Sequence, residues 1–347
     1  MISSRKSKAI GLFSGGLDSI LAAKLMSEQG VEVIALHFRV PFAARSRPQE
    51  SDRLQALAEV AGGNLVSVDV GDDYLDLVKS PQYGYARGIA PCMDCMGYML
   101  KKARELAMQL KADFIFTGEV VGQRAHCQNK RSLKVLETMT RMNGRLIRPL
   151  SAKLLEPTIP ELTGLVRRER LLDLKGRGRR RQIRLAAEFG VLDYSPPAGG
   201  CLLIDKNFAA RAKDAIKAEQ FTMADLAILG HGRHFRLESG AKVVVGRNEK
   251  ENRLLESLAV EGDAVCRPSE VMGPVVLLRS KKRTKKDTEI AAKLCARYSD
   301  ATSSQAVKVT CGEDEFKVKA LAEDELKQWL VQAQDKKEPK PAKEDES

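Results

Sequence analysis

The stretch GLFSGGLDSILAAKLM, Gly11 to Met26, limits what this chain can fold into more than any other. Apolar residues lead into Ser14, Gly15 and Gly16 and resume at helical spacing from Leu17, so a buried strand turns directly into a helix. A helix start leaves backbone N–H groups without intrahelical partners, at the positive end of the dipole. Two glycines there admit an anion to the bare backbone, and Ser14 and Ser19 add hydroxyl donors. Asp18 beside bound phosphates would repel them unless a cation lay between, and Mg2+ is commonly held by a carboxylate together with phosphate oxygens. The loop lacks Gly-Lys-Ser/Thr and is no Walker P-loop. The alternative is a helix start whose glycines serve tight packing alone.

Further along, KAIGLF, VEVIALHF, NLVSVDV and ADFIFTG read as short strands, with helices between them at Leu17 to Gln29, Asp52 to Val60 and Met96 to Leu110. This alternation predicts an α/β fold with a parallel, doubly wound sheet, to which GRLIRPL adds a further strand. Leu165 to Gly190 reads as an Arg-rich helical segment, and YSPPAGGCLL after it is turn chemistry. From about Phe221 short strands broken by glycines predict a smaller α+β domain. The expected division is therefore 1–220, 221–330 and a disordered tail at 331–347.

Charge and sulfur narrow the chemistry. The 58 Lys and Arg exceed the 46 Asp and Glu, giving +12, which suits a polyanionic partner. Nine basic residues against two acidic ones lie between Arg167 and Arg184, and Arg167, Arg168, Arg177, Arg179, Arg180 and Arg181 are candidate RNA contacts, with a solvated helix face as the alternative. SKKRTKKD, Ser280 to Asp287, is a second basic cluster. No leader and no membrane-length apolar run is read, so a cytoplasmic protein is expected. Seven cysteines, an odd number, then argue for thiols rather than a disulfide framework. Cys92 and Cys95 form a C-x2-C turn at a helix start, and Cys201 lies in a glycine-rich turn. Three readings stay open: an iron–sulfur cluster, a redox pair with a persulfide cysteine, or structural zinc and buried thiols. His231 and His234 have metal spacing but no acidic or cysteine companion, and are read as structural.

SGGLDS, between its strand and its helix, resembles the loop of the PP-loop ATP pyrophosphatases, which split ATP between its α and β phosphates and adenylate a substrate. FTGEVVGQRAHCQ, Phe116 to Gln128, resembles a segment of the tRNA 4-thiouridine synthases. The resemblance implies ATP and Mg2+ as cofactors, with Ser14, Gly15, Gly16, Asp18 and Ser19 on pyrophosphate, Asp18 on Mg2+, His37 and Phe38 at the adenine, and Gly118 and Gln128 on the nucleotide. One residue is inserted before Gln128 relative to the usual spacing. A class of tRNA thiolation enzymes holds a 4Fe–4S cluster with three cysteines, matched here by Cys92, Cys95 and Cys201, and Cys201 also falls near the persulfide cysteine of cluster-free relatives. HFRLESGAKVVVGRNEKENRLL and GPVVLLR resemble the RNA-associated domain of NFACT-type proteins. No stretch resembles the THUMP domain usual in 4-thiouridine synthases. The expectation is a tRNA sulfurtransferase making thiouridine, its partners tRNA and a sulfur donor, either sulfide or a persulfide from a cysteine desulfurase, with a homodimer open to it. Two other readings are an amide- or lysidine-type ligase with structural cysteines, and a non-catalytic RNA-binding factor.

Overall fold

In the computed structural model, which describes residues 6–43, 50–194, 200–302 and 305–333, β1 (Lys8–Leu12) is the central strand of a five-stranded sheet. Around it lie β2 (Glu32–Arg39), β3 (Gly63–Asp69), β4 (Phe114–Phe116) and β5 (Leu146–Ile147), in the order β3-β2-β1-β4-β5 and all parallel. This is the expected α/β class. Helices α1 (Leu17–Ser27), α2 (Glu50–Val60), α3 (Asp72–Lys79) and α4 (Cys92–Gln109) occupy the crossovers, followed by α5 (Lys130–Met139), α6 (Ile159–Leu162) and α7 (Arg180–Glu188). The order reverses direction beside β1, and ligand crevices in open α/β sheets form at the strand ends where this happens.

Packing explains why α1 is apolar around most of its circumference. The sheet, α2 and α7 all contact it, and Leu17, Ile20, Leu21, Ala22 and Met26 are fully buried. Each such leucine or isoleucine contributes roughly 1.5–3 kcal/mol by leaving water, so the helix carrying the loop is among the best-anchored parts of the unit. After β4 the chain is pinned from below: buried Arg148 donates to Glu119 Oε2 (3.1 Å) and pairs with Glu137 (2.5 Å), while Glu119 also accepts from Thr117 (3.0 Å).

The Arg-rich segment is helical only at α7. Gly176 has φ +79°, and Lys175 forms an isolated parallel bridge with Val121, which ties the stretch ahead of α7 to the loop after β4. Helix α4 begins at Cys92, four residues ahead of the position expected from periodicity, with Pro91 at its N-cap.

The chain divides between Ile204 and Asp205 into two compact units, ahead of the position near 220 read from sequence. The reason lies in α8 (Lys206–Lys217), which buries Phe208, Ala209, Ala212 and Ala215 and whose Asp214 pairs with Arg236 (2.8 Å) and Lys242 (2.7 Å) of the second unit's sheet. That unit contains α9 (Met223–Leu229), β6 (Arg233–Arg236), β7 (Lys242–Val245), α10 (Glu249–Ser257), β8 (Ala264–Pro268), β9 (Val276–Arg279), α11 (Lys285–Arg297), β10 (Val307–Cys311), β11 (Asp314–Val318) and α12 (Glu323–Trp329). Its six strands are antiparallel in the order β11-β10-β8-β9-β7-β6. Cys266 and Cys311 are register partners on β8 and β10 and form a disulfide, contrary to the reading of all seven cysteines as thiols. Most of the expected tail, residues 334–347, lies outside the described residues, as do 195–199 of the turn before Cys201. Among the described residues no helix is long and apolar enough to cross a membrane.

Candidate active site

The loop between β1 and α1 takes its shape from Gly15 and Ser19. Gly15 has φ +67°, a region that side chains disfavour. Ser19 is buried; its hydroxyl donates to the Gly16 carbonyl (2.8 Å) and accepts from the Ser14 amide (3.3 Å), so it braces the turn from within, while Ser14 is exposed. Gly16 caps α1 without a side-chain hydrogen bond, leaving the first turn to the backbone.

Four side chains meet at the mouth of this loop. Asp18 Oδ2 accepts from Gln123 Nε2 (2.7 Å) and lies 3.8 Å from Arg179 Nη2. Buried Gln182 donates to Gln123 Oε1 (3.3 Å). Asp18 Oδ1 and Arg179 Nε are both buried without a partner. Buried polar atoms are nearly always satisfied, and an orphaned carboxylate oxygen close to an orphaned guanidinium N–H is the donor set a metal–phosphate group would complete. Gly118 makes this closeness possible: a Cβ there would stand 2.6 Å from the Asp18 carbonyl carbon and 2.7 Å from the Ser19 nitrogen. Gln128 is buried with Oε1 unpartnered. At the end of β2, half-buried His37 donates from Nδ1 to the Phe13 carbonyl (2.9 Å), and burial holds its pKa below the usual histidine value; Phe38 is buried. Gln123 and Arg179 were not read from sequence as nucleotide-site residues, although Gln123 stands inside the quoted GEVVGQ.

The cysteines gather in the same unit. Cys92 and Cys95 occupy the first turn of α4. Cys201 is held by main chain on two sides: it bridges Ala43 just past β2, and the Leu203 carbonyl accepts from Ile89 N (3.0 Å) in the turn before α4. The three lie close enough for each to raise the energy of a thiolate on another, and exposed Arg124 attracts all of them. A fourth thiol joins: Cys127, buried, is hydrogen-bonded to Cys92, which lowers the Cys92 pKa and raises that of Cys127. Cys95 instead contacts the Tyr74 hydroxyl (3.1 Å), and burial pushes its thiol up to about 12; burial raises Cys201 as well. Among the described residues no three Cys, His, Asp or Glu side chains are arranged to hold a metal ion. Cys92 and Cys95 turn to different partners, so as arranged the thiols do not fit the three-ligand corner that an iron–sulfur cluster needs, and no step below passes through one.

The basic segment splits. Arg168 is turned inward onto Glu161 (2.5 Å) and the carbonyls of Ala152 and Leu155, and Arg179 faces Asp18; neither points to an open surface as expected, because each is drawn to a carboxylate. Arg181 pairs with Asp173 (2.6 Å) on the exterior, and Arg167, Arg177 and Arg180 are exposed. Lys175, Arg180, Arg181 and Gln182 line one cleft of about 620 Å3.

Comparison with known proteins follows the same division of the chain. Residues 4–154 match the family model described as thiamine biosynthesis protein (ThiI), and residues 232–330 that described as NFACT protein RNA binding domain. A probable tRNA sulfurtransferase of Finegoldia magna is 31% identical over 144 residues, 41% of this chain and 35% of that protein. The tRNA-specific 2-thiouridylase MnmA of Nitratidesulfovibrio vulgaris is 32% identical over 127 residues, 33% of this chain and 35% of that protein. A solved 4-thiouridine synthetase–RNA complex with bound ATP aligns at 20% identity with TM-score 0.34, covering 54% of this chain and 52% of that one. The chain thus spans about a third of the length of the curated relatives it matches. It is similar to the ThiI family over residues 4–154 and to the NFACT RNA binding domain over residues 232–330.

Proposed function

We propose that the chain is an ATP-dependent tRNA sulfurtransferase that adenylates a uridine oxygen and replaces it with sulfur, giving a thiouridine. The observation that carries this reading is the pair of orphaned atoms, Asp18 Oδ1 and Arg179 Nε, at a glycine-built helix start. Loop amides and Arg179 would hold the β and γ phosphates, and the unpartnered Asp18 oxygen suits Mg2+. Bound there, the metal would neutralise charge on the phosphate oxygens. The uridine oxygen attacks the α phosphate, pyrophosphate leaves, and a poor leaving group becomes a good one. Donors fixed in advance around the developing charge are normally the largest contribution to such a step.

Sulfur then displaces AMP. Support for sulfur rather than an amine as the second nucleophile is the gathering of Cys92, Cys95, Cys127 and Cys201 in the unit that holds the loop. Cys92 is the best candidate for a persulfide, since the hydrogen bond with Cys127 and the charge of Arg124 both favour its thiolate. That the acceptor is tRNA is supported by the names of the relatives and by the RNA binding domain match, with residues 221–330 contributing to its capture. Asp18→Asn is the test. AMP formation with tRNA present should fall by about a hundredfold or more, with RNA binding by filter assay unchanged; undiminished AMP formation would refute the nucleotide role.

A further inference from the structure

Building on that reading, we propose that Cys127 is the resolving thiol of the sulfur step, releasing the thiolated product by forming a disulfide with Cys92. Cys127 belongs neither to the C-x2-C turn nor to the glycine-rich turn of Cys201. It lies in the loop after β4, four residues from Gln123, which bonds Asp18. Main-chain bonds hold this stretch in one conformation: Gly122 N donates to the Gln128 carbonyl (2.7 Å) and Gln128 N to the Arg124 carbonyl (2.8 Å). One short peptide therefore touches the phosphate-loop carboxylate at one end and the sulfur of Cys92 at the other.

Of the neighbouring thiols, Cys127 is the one hydrogen-bonded to Cys92, whereas Cys95 is occupied with Tyr74. Cys127 is also 8% exposed, which shields it from bulk oxidants and thiols while leaving Cys92 within reach. The chemistry balances as follows. A persulfide donor protein loads Cys92, whose terminal sulfur attacks the adenylated uridine carbon and expels AMP, leaving uridine joined to Cys92 through an S–S bond. Cys127 sulfur attacks Cys92 Sγ, the Cys92–Cys127 bond forms, and the thiouridine leaves as a thiolate that takes up the Cys127 proton. The two electrons that reduce the transferred sulfur come from the two thiols, and a dithiol reductant restores them.

The test uses the full chain with tRNA, ATP and a persulfide-loaded cysteine desulfurase, for one turnover without reductant, followed by peptide mass spectrometry under non-reducing conditions. A Cys92–Cys127 disulfide is expected in proportion to thiouridine. Cys127→Ser should still form AMP, which shows that it is folded, but lose free product, retaining the RNA on Cys92 until dithiothreitol is added. A disulfide from Cys92 to Cys95 or Cys201, or full turnover by Cys127→Ser without added thiol, would overturn the assignment. If the wild-type chain forms no AMP, it is the sulfurtransferase reading that fails. Oxidation with diamide then decides the thiol pairing by itself, a first disulfide at Cys92–Cys127 supporting it and any other pair refuting it.

Discussion

At Gly118 the polypeptide crosses the start of α1 so closely that a methyl group would overlap the Asp18 carbonyl and the Ser19 amide. Both opposing atoms are backbone, so neither can swing aside, and the loop itself must shift. Gly118→Ala is therefore expected to weaken nucleotide binding severely with modest loss of stability, about 1–3 kcal/mol as for other overpacked sites; isothermal calorimetry with ATP and a thermal melt separate the two effects. Residues of this kind differ in how far the sequence discloses them. Ser14, Gly15, Gly16 and Asp18 were legible because strand, glycines and acid sit side by side, and their spacing alone defines an anion site. Gln123 was not, since its bond to Asp18 spans 105 positions. Arg179 was misread for a related reason: a run of arginines announces positive charge, while the direction of each guanidinium is set by which carboxylate the fold brings near.

Among the elements, α10 shows how one side-chain pair makes stability respond to acid. Arg247 donates to both carboxylate oxygens of Glu251, and the Arg247 amide adds a third bond (2.9 Å). The Arg247 hydrogen bond holds the Glu251 pKa down to about 2, against 4.5 for the model carboxyl. A carboxyl depressed on folding gives stability that is present in full above pH 4.5 and lost as the pH falls through about 2. Glu251→Gln should thus be less stable near neutrality and show a smaller decline between pH 4.5 and 2, measured by urea unfolding of the full chain across that window. Element types were legible where apolar periodicity was strong, as in α1 and the parallel strands. The Arg-rich stretch was over-read as helix because arginine is a good helix former, whereas Gly176 and the bridge from Lys175 to Val121 hold most of it in extended form. The unit boundary was missed for want of a composition change: α8 is amphipathic like the helices before it, and its membership is fixed by the reach of Asp214 to Arg236 and Lys242.

For the whole molecule, the surplus of twelve positive charges is concentrated enough to test. Lys281, Lys282, Arg283 and Lys285 are all exposed at the start of α11. Replacing the four by Gln should weaken tRNA binding and flatten its dependence on salt, by about 0.7–0.9 in log–log slope for each phosphate contact removed; filter binding over a salt series measures both. An unchanged slope would place the RNA contacts elsewhere. The seven sulfur-bearing cysteine side chains are also unevenly distributed. Cys266 and Cys311 are bonded to each other and Cys295 has no exposed surface, while Cys92, Cys95, Cys127 and Cys201 all belong to the first unit. A maleimide or other alkylating label applied to the native chain consequently reads the catalytic half alone, with the RNA-associated half silent, so reactivity profiling in whole cells could follow occupancy of the sulfur site without any purification.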